Sequence, residues 1–415
     1  MSFSIVASHA KGKATPDKIF AASDTANKAA QVHGKENVIN ATIGAILDEN
    51  RVLSCLPTIE KNYRKIETVD LVQYAPIAGL PEYLSAVVNE ACGESRPDAH
   101  IAAVATAGGT GCLHHVIWNY AEIGDKIITS DWYWDAYSSI CKDMLRTLDT
   151  YTMFDEDKKY NIAALEAKIR ELAATQNNVV VIINTPAHNP IGYSVSNEEW
   201  DDILQRVQTI IKETGKNIVL LVDLAYIDYA GEREAVRSFI KKFENLPKEL
   251  LIILSYSMSK GYTLYGQRTG AMIGISSDES VIEEFASINQ FTSRATWSNI
   301  NRPSMRLLAN ICKEPELLAA VCKERNDLYQ MIKNRADIFT REAKVVGLDM
   351  LPYIAGFFLS MPSNNSTAVC EKLKEDLVFA VPLTKGVRIA VCAVPEYQIR
   401  GLAAKVKKAF DAVEK

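Results

Sequence analysis

The order of apolar and amphipathic segments in the middle of the chain limits the possible folds more than any other feature. Short apolar runs predict strands, and longer segments of helical period separate them. The strand candidates are HIAAVATA (100–107), DKIITS (125–130), NVVVIIN (178–184), NIVLLVD (217–223) and LLIILS (250–255). The helix candidates are 109–123, 161–176 and 196–216, and the last opens with a capping box, Ser196 and Glu199. This alternation predicts βαβ crossovers and a mostly parallel sheet sandwiched by helices.

The two ends of the chain follow a different pattern. Before about residue 55 and after about residue 303, the sequence predicts helices such as 315–344 and short strands near 356–360 and 387–391. We therefore predict an α/β protein with a large domain, residues 55–302, and a smaller α+β domain assembled from both chain ends, residues 1–54 and 303–415. A chain of 415 residues is long enough to bury the cores of both.

Composition and charge argue against several classes of protein. A net charge of −5 with no basic stripe argues against nucleic-acid binding. No apolar run approaches the roughly 18 residues of a membrane span, and the N-terminus lacks the apolar core of a signal peptide. The eight cysteines are scattered, without a CxxC pair or zinc-ligand spacing. These features predict a cytoplasmic protein with reduced thiols, no metal site and no membrane or nucleic-acid partner.

Polar and aromatic residues follow the predicted strands, where ligands bind in open α/β sheets. They are the turn GGTG (108–111), Trp132 or Trp134 in DWYWDAY, Asn189 in TPAHNPIG, and Asp223 and Tyr226 in DLAY. A glycine-rich turn that opens a helix can bind an anion through free backbone N–H groups, although a plain turn would look the same. Asp223 is the most informative of them, because a carboxylate at the end of an apolar strand needs a cationic or hydrogen-bonding partner.

The segment LLIILSYSMSKGYTLYGQRTGAMIGIS adds a lysine and an arginine to this set. Lys260 follows an apolar run, so partial desolvation would lower its pKa and free the amine for Schiff-base chemistry. Ser257, Ser259 and Arg268 could hold a phosphate. A solvated surface lysine is the plain alternative for this segment alone. Together with Asp223, which could keep a pyridine nitrogen protonated, these are the groups needed to bind pyridoxal phosphate (PLP).

From about residue 40 to about residue 395, the chain resembles fold-type I PLP-dependent aminotransferases of class I/II, in the subgroup of aspartate and aromatic amino acid aminotransferases. The resemblance implies that Lys260 is the Schiff-base lysine and general base. It also implies that the other cofactor-binding residues are Asp223 for the pyridine nitrogen, Asn189 and Tyr226 for the phenolate oxygen, Trp134 for stacking, and Gly109, Thr110, Ser257 and Arg268 for the phosphate.

Further matches concern the substrate and a second subunit. By resemblance, Arg388 in KGVRIAV would clamp the α-carboxylate of the substrate, and Gly44 in INATIGA would line its pocket. Tyr74 in YAPIAGLPEY would reach the phosphate of the neighbouring subunit. Arg294 in FTSRATWSN, with Ser298 nearby, would cross from the partner to bind the distal carboxylate of a substrate. The resemblance therefore implies a homodimer with shared active sites.

Two positions depart from the pattern of the family. Ile191 stands in the HNPIG loop where threonine is usual. Tyr137 stands three residues after Trp134, where aspartate aminotransferases usually carry a histidine that supports the cofactor aspartate. Because aromatic aminotransferases also keep the distal arginine, Arg294 does not separate the two activities.

The resemblance implies an enzyme, a PLP-dependent amino acid aminotransferase. It would move an amino group between an amino acid (aspartate, glutamate or aromatic) and a 2-oxo acid such as 2-oxoglutarate by a ping-pong mechanism. A PLP-dependent lyase that performs β-elimination or decarboxylation is the alternative, although Arg294 argues against it. A transcription regulator would need an N-terminal DNA-binding domain, which the first forty or so residues do not suggest. A nucleotide-dependent dehydrogenase would need the GxGxxG spacing that GGTG lacks.

Overall fold

The computed structural model describes residues 5–13 and 17–414. The strands in chain order are β1 (Ile39–Asn40), β2 (His100–Thr106), β3 (Lys126–Ser130), β4 (Thr147–Tyr151), β5 (Asn178–Asn184), β6 (Asn217–Asp223), β7 (Leu250–Ser257), β8 (Gly270–Ser276), β9 (Phe358–Pro362), β10 (Val378–Phe379), β11 (Val381–Leu383) and β12 (Gly386–Ala390).

Helices connect and cover these strands. In chain order they are α1 (Lys18–His33), α2 (Pro57–Tyr63), α3 (Thr68–Val72), α4 (Pro81–Cys92), α5 (Gly108–Tyr120), α6 (Ala136–Asp143), α7 (Ile162–Ala173), α8 (Asn197–Thr214), α9 (Met258–Gly261), α10 (Glu279–Thr296), α11 (Arg302–Lys313), α12 (Pro315–Val346), α13 (Ser366–Glu375), α14 (Glu396–Ile399) and α15 (Leu402–Val413). Short 3₁₀ helices span Ser8–Ala10, Gly93–Ser95, Ile227–Tyr229, Ala235–Phe243 and Val391–Ala393.

Seven strands form one sheet in the order β2-β8-β7-β6-β5-β3-β4. Neighbouring strands from β7 to β4 run parallel, whereas β8 is antiparallel to both of its neighbours. The predicted mostly parallel sheet is therefore confirmed. The sequence analysis missed β4, because TLDTY is an edge strand that is only partly buried and lacks an apolar run.

The sheet is covered on both faces, as the alternation of side chains along a strand requires. On one face, Val180 of β5 and Leu221 of β6 belong to a core that includes Val116 of α5. On the other face, Val181 of β5 belongs to a core that includes Ile203 of α8. The centre of the sheet is thus apolar on both sides, so polar side chains of these strands collect at the strand ends.

Another core lies around the three-stranded antiparallel sheet β11-β12-β9. It joins residues near the start of the chain, such as Ile39 and Ile46, to C-terminal residues such as Phe339, Leu359 and Val406. The division at residues 54/55 and 302/303 remains a prediction. Within the described residues, no helix combines the length and the apolar character that a bilayer crossing would need.

Candidate active site

The carboxyl ends of the central parallel strands bring three polar residues side by side. Asn184 of β5 is the register partner of Asp223 of β6, and Asp223 is the register partner of Ser255 of β7. At the end of β7, Ser257 is paired with Gly270 of β8, which is also paired with Thr106 of β2. The loops that follow β2, β5, β6 and β7, and the loop that precedes β8, therefore meet at one end of the sheet, as the sequence predicts.

Lys260 lies on α9, the short helix that follows β7. Its Nζ donates a hydrogen bond to the carbonyl oxygen of Gly44 at 2.7 Å and lies 5.7 Å from the ring centre of Tyr226 and 4.9 Å from that of Tyr265. Burial lowers the pKa of Lys260 to about 8, and the positive charge of Arg388 acts in the same direction. A neutral amine is therefore accessible near neutral pH, as nucleophilic or general-base chemistry requires.

A buried ion-pair cluster, formed by Glu90, Asp228, Arg237 and Arg325, holds the turn that carries Lys260. Arg325 of α12 donates from Nε to the carbonyl oxygen of Gly261 at 2.8 Å and pairs with Glu90 and Asp228 at 3.2 and 3.3 Å. Arg237 pairs with Asp228 at 2.6 Å. Burial alone would raise the pKa of Asp228, but Arg325 and Arg237 outweigh it and hold that pKa below its ordinary value. The cluster is therefore ionised and internally compensated.

Asp223 is buried at the end of β6 and is held by two hydrogen bonds. Its Oδ2 accepts from the hydroxyl of Tyr137 at 2.6 Å, and its Oδ1 accepts from the backbone N–H of Ala225 at 3.1 Å. Burial raises the pKa of Asp223, and both hydrogen bonds oppose that shift. The ring of Trp134 contacts the ring of Tyr137 edge-on, with centroids 5.7 Å apart. Trp134 therefore lies next to the residue that contacts Asp223.

Asn189, Tyr226 and Arg388 form a connected group. Asn189 donates from Nδ2 to the hydroxyl of Tyr226 at 3.3 Å, and Arg388 donates from Nη1 to Oδ1 of Asn189 at 3.3 Å. Arg388 also donates from Nη2 to the carbonyl oxygen of Thr42 at 2.6 Å, and its guanidinium lies 4.4 Å from the ring centre of Phe358.

The guanidinium of Arg388 has hydrogen-bond partners but no carboxylate partner among the described residues. The residue is only 2% exposed, burial lowers its pKa, and its Nε has no hydrogen-bond partner among the described residues. It forms no ion pair with a carboxylate in the part of the chain that the structure describes. A buried cation left in this state indicates that an external anion completes the site.

A second anion-binding arrangement lies at the N-terminus of α5. Ala107, at the N-cap position, offers no side-chain hydrogen bond to the first turn, which contains Gly109 and Thr110. A Cβ atom at Gly108, where φ is +68°, would lie 2.7 Å from Nη2 of Arg268. The absence of a side chain at Gly108 therefore lets the guanidinium approach the helix backbone.

Serine hydroxyls extend this arrangement. Arg268 donates from Nη1 to Oγ of Ser259 at 3.1 Å, and Oγ of Ser257 accepts from the backbone N–H of Ser259 at 3.2 Å. The Cβ of Ser257 would lie 3.8 Å from a Cβ built on Gly109. A helix N-terminus, hydroxyl groups and a solvent-exposed arginine together fit a phosphate group.

Three predicted site residues lie apart from this group. The Tyr74 side chain is exposed (85%), and Arg294 is also exposed, with Nη1 donating to Oγ of Ser298 at 3.0 Å. Within the described chain, no hydrogen bond links any of the three to Lys260 or Arg388. Their predicted roles, which involve a neighbouring subunit, remain predictions.

The sequence analysis missed several residues around Lys260 and Arg388. The hydroxyl of Tyr265 accepts from the backbone N–H of Ile46 at 3.0 Å, which ties the N-terminal segment to the lysine loop. Phe358 packs on Arg388, and a Cβ atom at Gly44 would lie 2.6 Å from its ring. These contacts join residues far apart in sequence, and a Phe or Tyr carries no local signal that distinguishes such a role from ordinary packing.

Gly261 provides a test of the buried ion-pair cluster. A Cβ atom there would lie 1.9 Å from Oδ2 of Asp228, so Gly261→Ala should force the cluster apart and reduce the free energy of unfolding by about 2 kcal/mol or more. Gly266→Ala is the matched control, because nothing lies within 4 Å of a Cβ at that position. Thermal unfolding followed by circular dichroism measures both. Equal unfolding temperatures for the two variants would contradict the account.

Comparisons with known proteins identify the family and the fold. A solved structure of an aminotransferase from Anaerococcus prevotii DSM 20548 is 34% identical, covers 99% of this chain and 100% of its own, and superposes with a TM-score of 0.96. The cytoplasmic aspartate aminotransferase of Dictyostelium discoideum is 29% identical over 288 residues, or 67% of this chain. That match spans 63% of the relative's length, less than two thirds of it.

A third similarity concerns the fold alone. An aromatic-amino-acid aminotransferase from Burkholderia pseudomallei, solved covalently bound to pyridoxal phosphate, has a TM-score of 0.78 at 20% identity and covers 97% of this chain and 100% of its own.

The model of the family described as aminotransferase class I and II matches residues 36–406. The chain therefore belongs to the class I and II aminotransferase family.

Proposed function

We propose that this protein is a PLP-dependent amino acid aminotransferase. It moves an amino group between aspartate, glutamate or an aromatic amino acid and a 2-oxo acid such as 2-oxoglutarate, in two half-reactions of a ping-pong mechanism. The observation that carries the proposal is the buried, unpaired guanidinium of Arg388 close to Lys260, whose pKa is lowered to about 8. The names of relatives found by sequence similarity support it, since they are aspartate and aromatic-amino-acid aminotransferases.

The residues present fit PLP. The N-terminus of α5, with Gly109 and Thr110, would hold the phosphate together with Ser257 and Arg268. The buried carboxylate of Asp223 would accept a hydrogen bond from the protonated pyridine nitrogen. The remaining proposed contacts are Asn189 and Tyr226 with the phenolate oxygen, Trp134 with a ring face and Lys260 with the aldehyde carbon. When bound, PLP supplies a ring that withdraws the electron pair released at the substrate α-carbon.

The side chains of this chain divide the remaining work. Arg388 would bind the α-carboxylate of the amino acid, and its unpaired Nε is one of the two donors that a bidentate contact needs. The neutral amine of Lys260 would remove the proton from the α-carbon of the amino acid in one half-reaction. It would return a proton to the α-carbon of the other substrate in the second half-reaction. The carbonyl oxygen of Gly44 holds that amine at 2.7 Å, and Phe358 limits the volume beside Arg388.

We also propose a cytoplasmic homodimer with shared active sites. Tyr74, Arg294 and Ser298 would then act in the site of the partner subunit, Tyr74 on the phosphate and the other two on a distal carboxylate. The exposure of Tyr74 and Arg294 and the absence of an acidic partner for Arg294 within the described residues are compatible with this arrangement. The domain division at residues 1–54 with 303–415 and 55–302 is part of the same proposal.

The test of the proposed function is a visible absorption spectrum. Protein reconstituted with PLP should show a coloured cofactor band that bleaches with glutamate and with aspartate or an aromatic amino acid, and 2-oxoglutarate should restore it. Lys260→Ala should abolish turnover while the buried ion-pair cluster keeps the fold intact. Release of pyruvate and ammonia, or a band that no amino acid changes, would reject transamination and leave a lyase or a non-catalytic binder.

The lowered pKa of Lys260 predicts how PLP uptake depends on pH. Only the neutral amine attacks the aldehyde, so the rate constant for covalent uptake by cofactor-free protein should rise about tenfold per pH unit and level off near pH 8. A lysine with an ordinary pKa would level off more than two units higher. Stopped-flow absorbance with excess PLP measures this rate. A rate that keeps rising well beyond pH 9 would contradict a desolvated Lys260.

Arg388→Lys tests the carboxylate clamp. A lysine keeps the charge but loses the forked geometry, so the KM for the amino acid should rise about tenfold to a hundredfold. PLP affinity should change little, because Arg388 is assigned to the substrate. Arg400→Lys, at an exposed ion pair with Glu396, is the matched control. Steady-state kinetics with glutamate measure this KM. An unchanged KM would show that Arg388 does not bind the substrate.

A further inference from the structure

Tyr137 occupies a position where the resemblance leads one to expect histidine. It is the second residue of α6, is 1% exposed, and donates its hydroxyl proton to Oδ2 of Asp223 at 2.6 Å. The only other donor recorded for this carboxylate within the described residues is the backbone N–H of Ala225. Tyr137 is therefore the side chain that stabilises the charge of Asp223.

Among the described residues, no cation contributes to the pKa of Asp223. The titratable groups facing it are Tyr137 of α6, Tyr226 after β6 and Cys112 of α5. Burial raises the pKa of Cys112 to about 12, and burial also raises the pKa of both tyrosines above the ordinary value. All three are neutral near pH 7. Burial raises the pKa of Asp223, and hydrogen bonds alone oppose that rise.

The direction of the hydrogen bond follows from the chemistry of the two groups. An ionised carboxylate only accepts, and a neutral phenol has a single proton to give. Each oxygen of Asp223 keeps a free lone pair after accepting from Tyr137 or Ala225. The carboxylate is thus held in one orientation and can still accept from a third donor.

We propose that Tyr137 is a positioning residue that keeps Asp223 ionised and oriented toward the pyridine nitrogen of the cofactor. This inference rests on the proposed function. A tyrosine always donates from its hydroxyl oxygen, because its proton cannot move to a second ring atom as the proton of an imidazole can. Trp134, packed edge-on against the Tyr137 ring, restrains the phenol.

Tyr137→Phe is the primary variant, because it removes one hydroxyl and keeps the ring that packs on Trp134. Tyr137→His restores a donor. Tyr151→Phe is the matched control, since Tyr151 is also buried and loses a hydroxyl bond, to Tyr160 at 2.5 Å, away from the site. The measurements are the PLP dissociation constant, kcat and KM for glutamate, and the unfolding temperature of cofactor-free protein at pH 5 and pH 8.

Tyr137→Phe should weaken PLP binding about tenfold and lower kcat about tenfold or more, with the KM for glutamate changed less. Without cofactor, the variant should be destabilised more at pH 8 than at pH 5. The reason is that loss of the donor raises the pKa of Asp223 further, and protonation at low pH then relieves the uncompensated charge. Tyr137→His should recover most of the PLP affinity and kcat, and Tyr151→Phe should show none of the site effects.

Wild-type PLP affinity and kcat in Tyr137→Phe, with a loss of stability that does not depend on pH, would overturn the inference. If Tyr137→Phe does not fold, Tyr137→His decides, because packing alone would not preserve the cofactor spectrum and kcat. Wild-type protein that takes up no PLP would refute the proposed function, whereas the pH dependence of the cofactor-free proteins would still establish or reject the action of Tyr137 on Asp223.

Discussion

The parallel register of β5, β6 and β7 is the constraint on which the site depends. It aligns Asn184, Asp223 and Ser255 across three strands, and a slip of one residue would turn each side chain to the opposite face of the sheet. Because the strands are apolar on both faces up to these residues, the register is fixed by burial as well as by hydrogen bonds. The loops that carry Asn189 and Lys260 begin within a few residues of the aligned ends.

Two sets of buried charges have opposite character. In the buried ion-pair cluster, the charges of Arg325 and Arg237 balance those of Glu90 and Asp228, and the cluster holds α9 and α12 together. In the site, Arg388 lacks an anion and Asp223 lacks a cation within the described residues. Such incomplete charges are costly in a folded protein and are complementary to a ligand that carries a carboxylate, a phosphate and a protonated ring nitrogen.

The sequence was sufficient to predict the strand series, the mostly parallel sheet and the family, because long apolar strands and the residues after them are local signals. It could not predict the edge strand β4, which has no apolar pattern, or the contact of Lys260 with Gly44, which joins distant parts of the chain. Nor could the sequence predict the hydrogen bond between Tyr137 and Asp223, because a tyrosine in place of histidine does not show whether a donor to Asp223 is kept. The roles of Tyr74 and Arg294 depend on a second subunit and remain predictions.

The central claim is that Lys260 is the residue that bonds covalently to PLP. The most direct measurement is borohydride reduction of the protein with PLP, followed by mass spectrometry of the intact chain and of its peptides. We expect one phosphopyridoxyl group per chain, on the peptide that contains Lys260, and none on Lys260→Ala. Labelling spread over surface lysines, or a single label on another residue, would contradict the account.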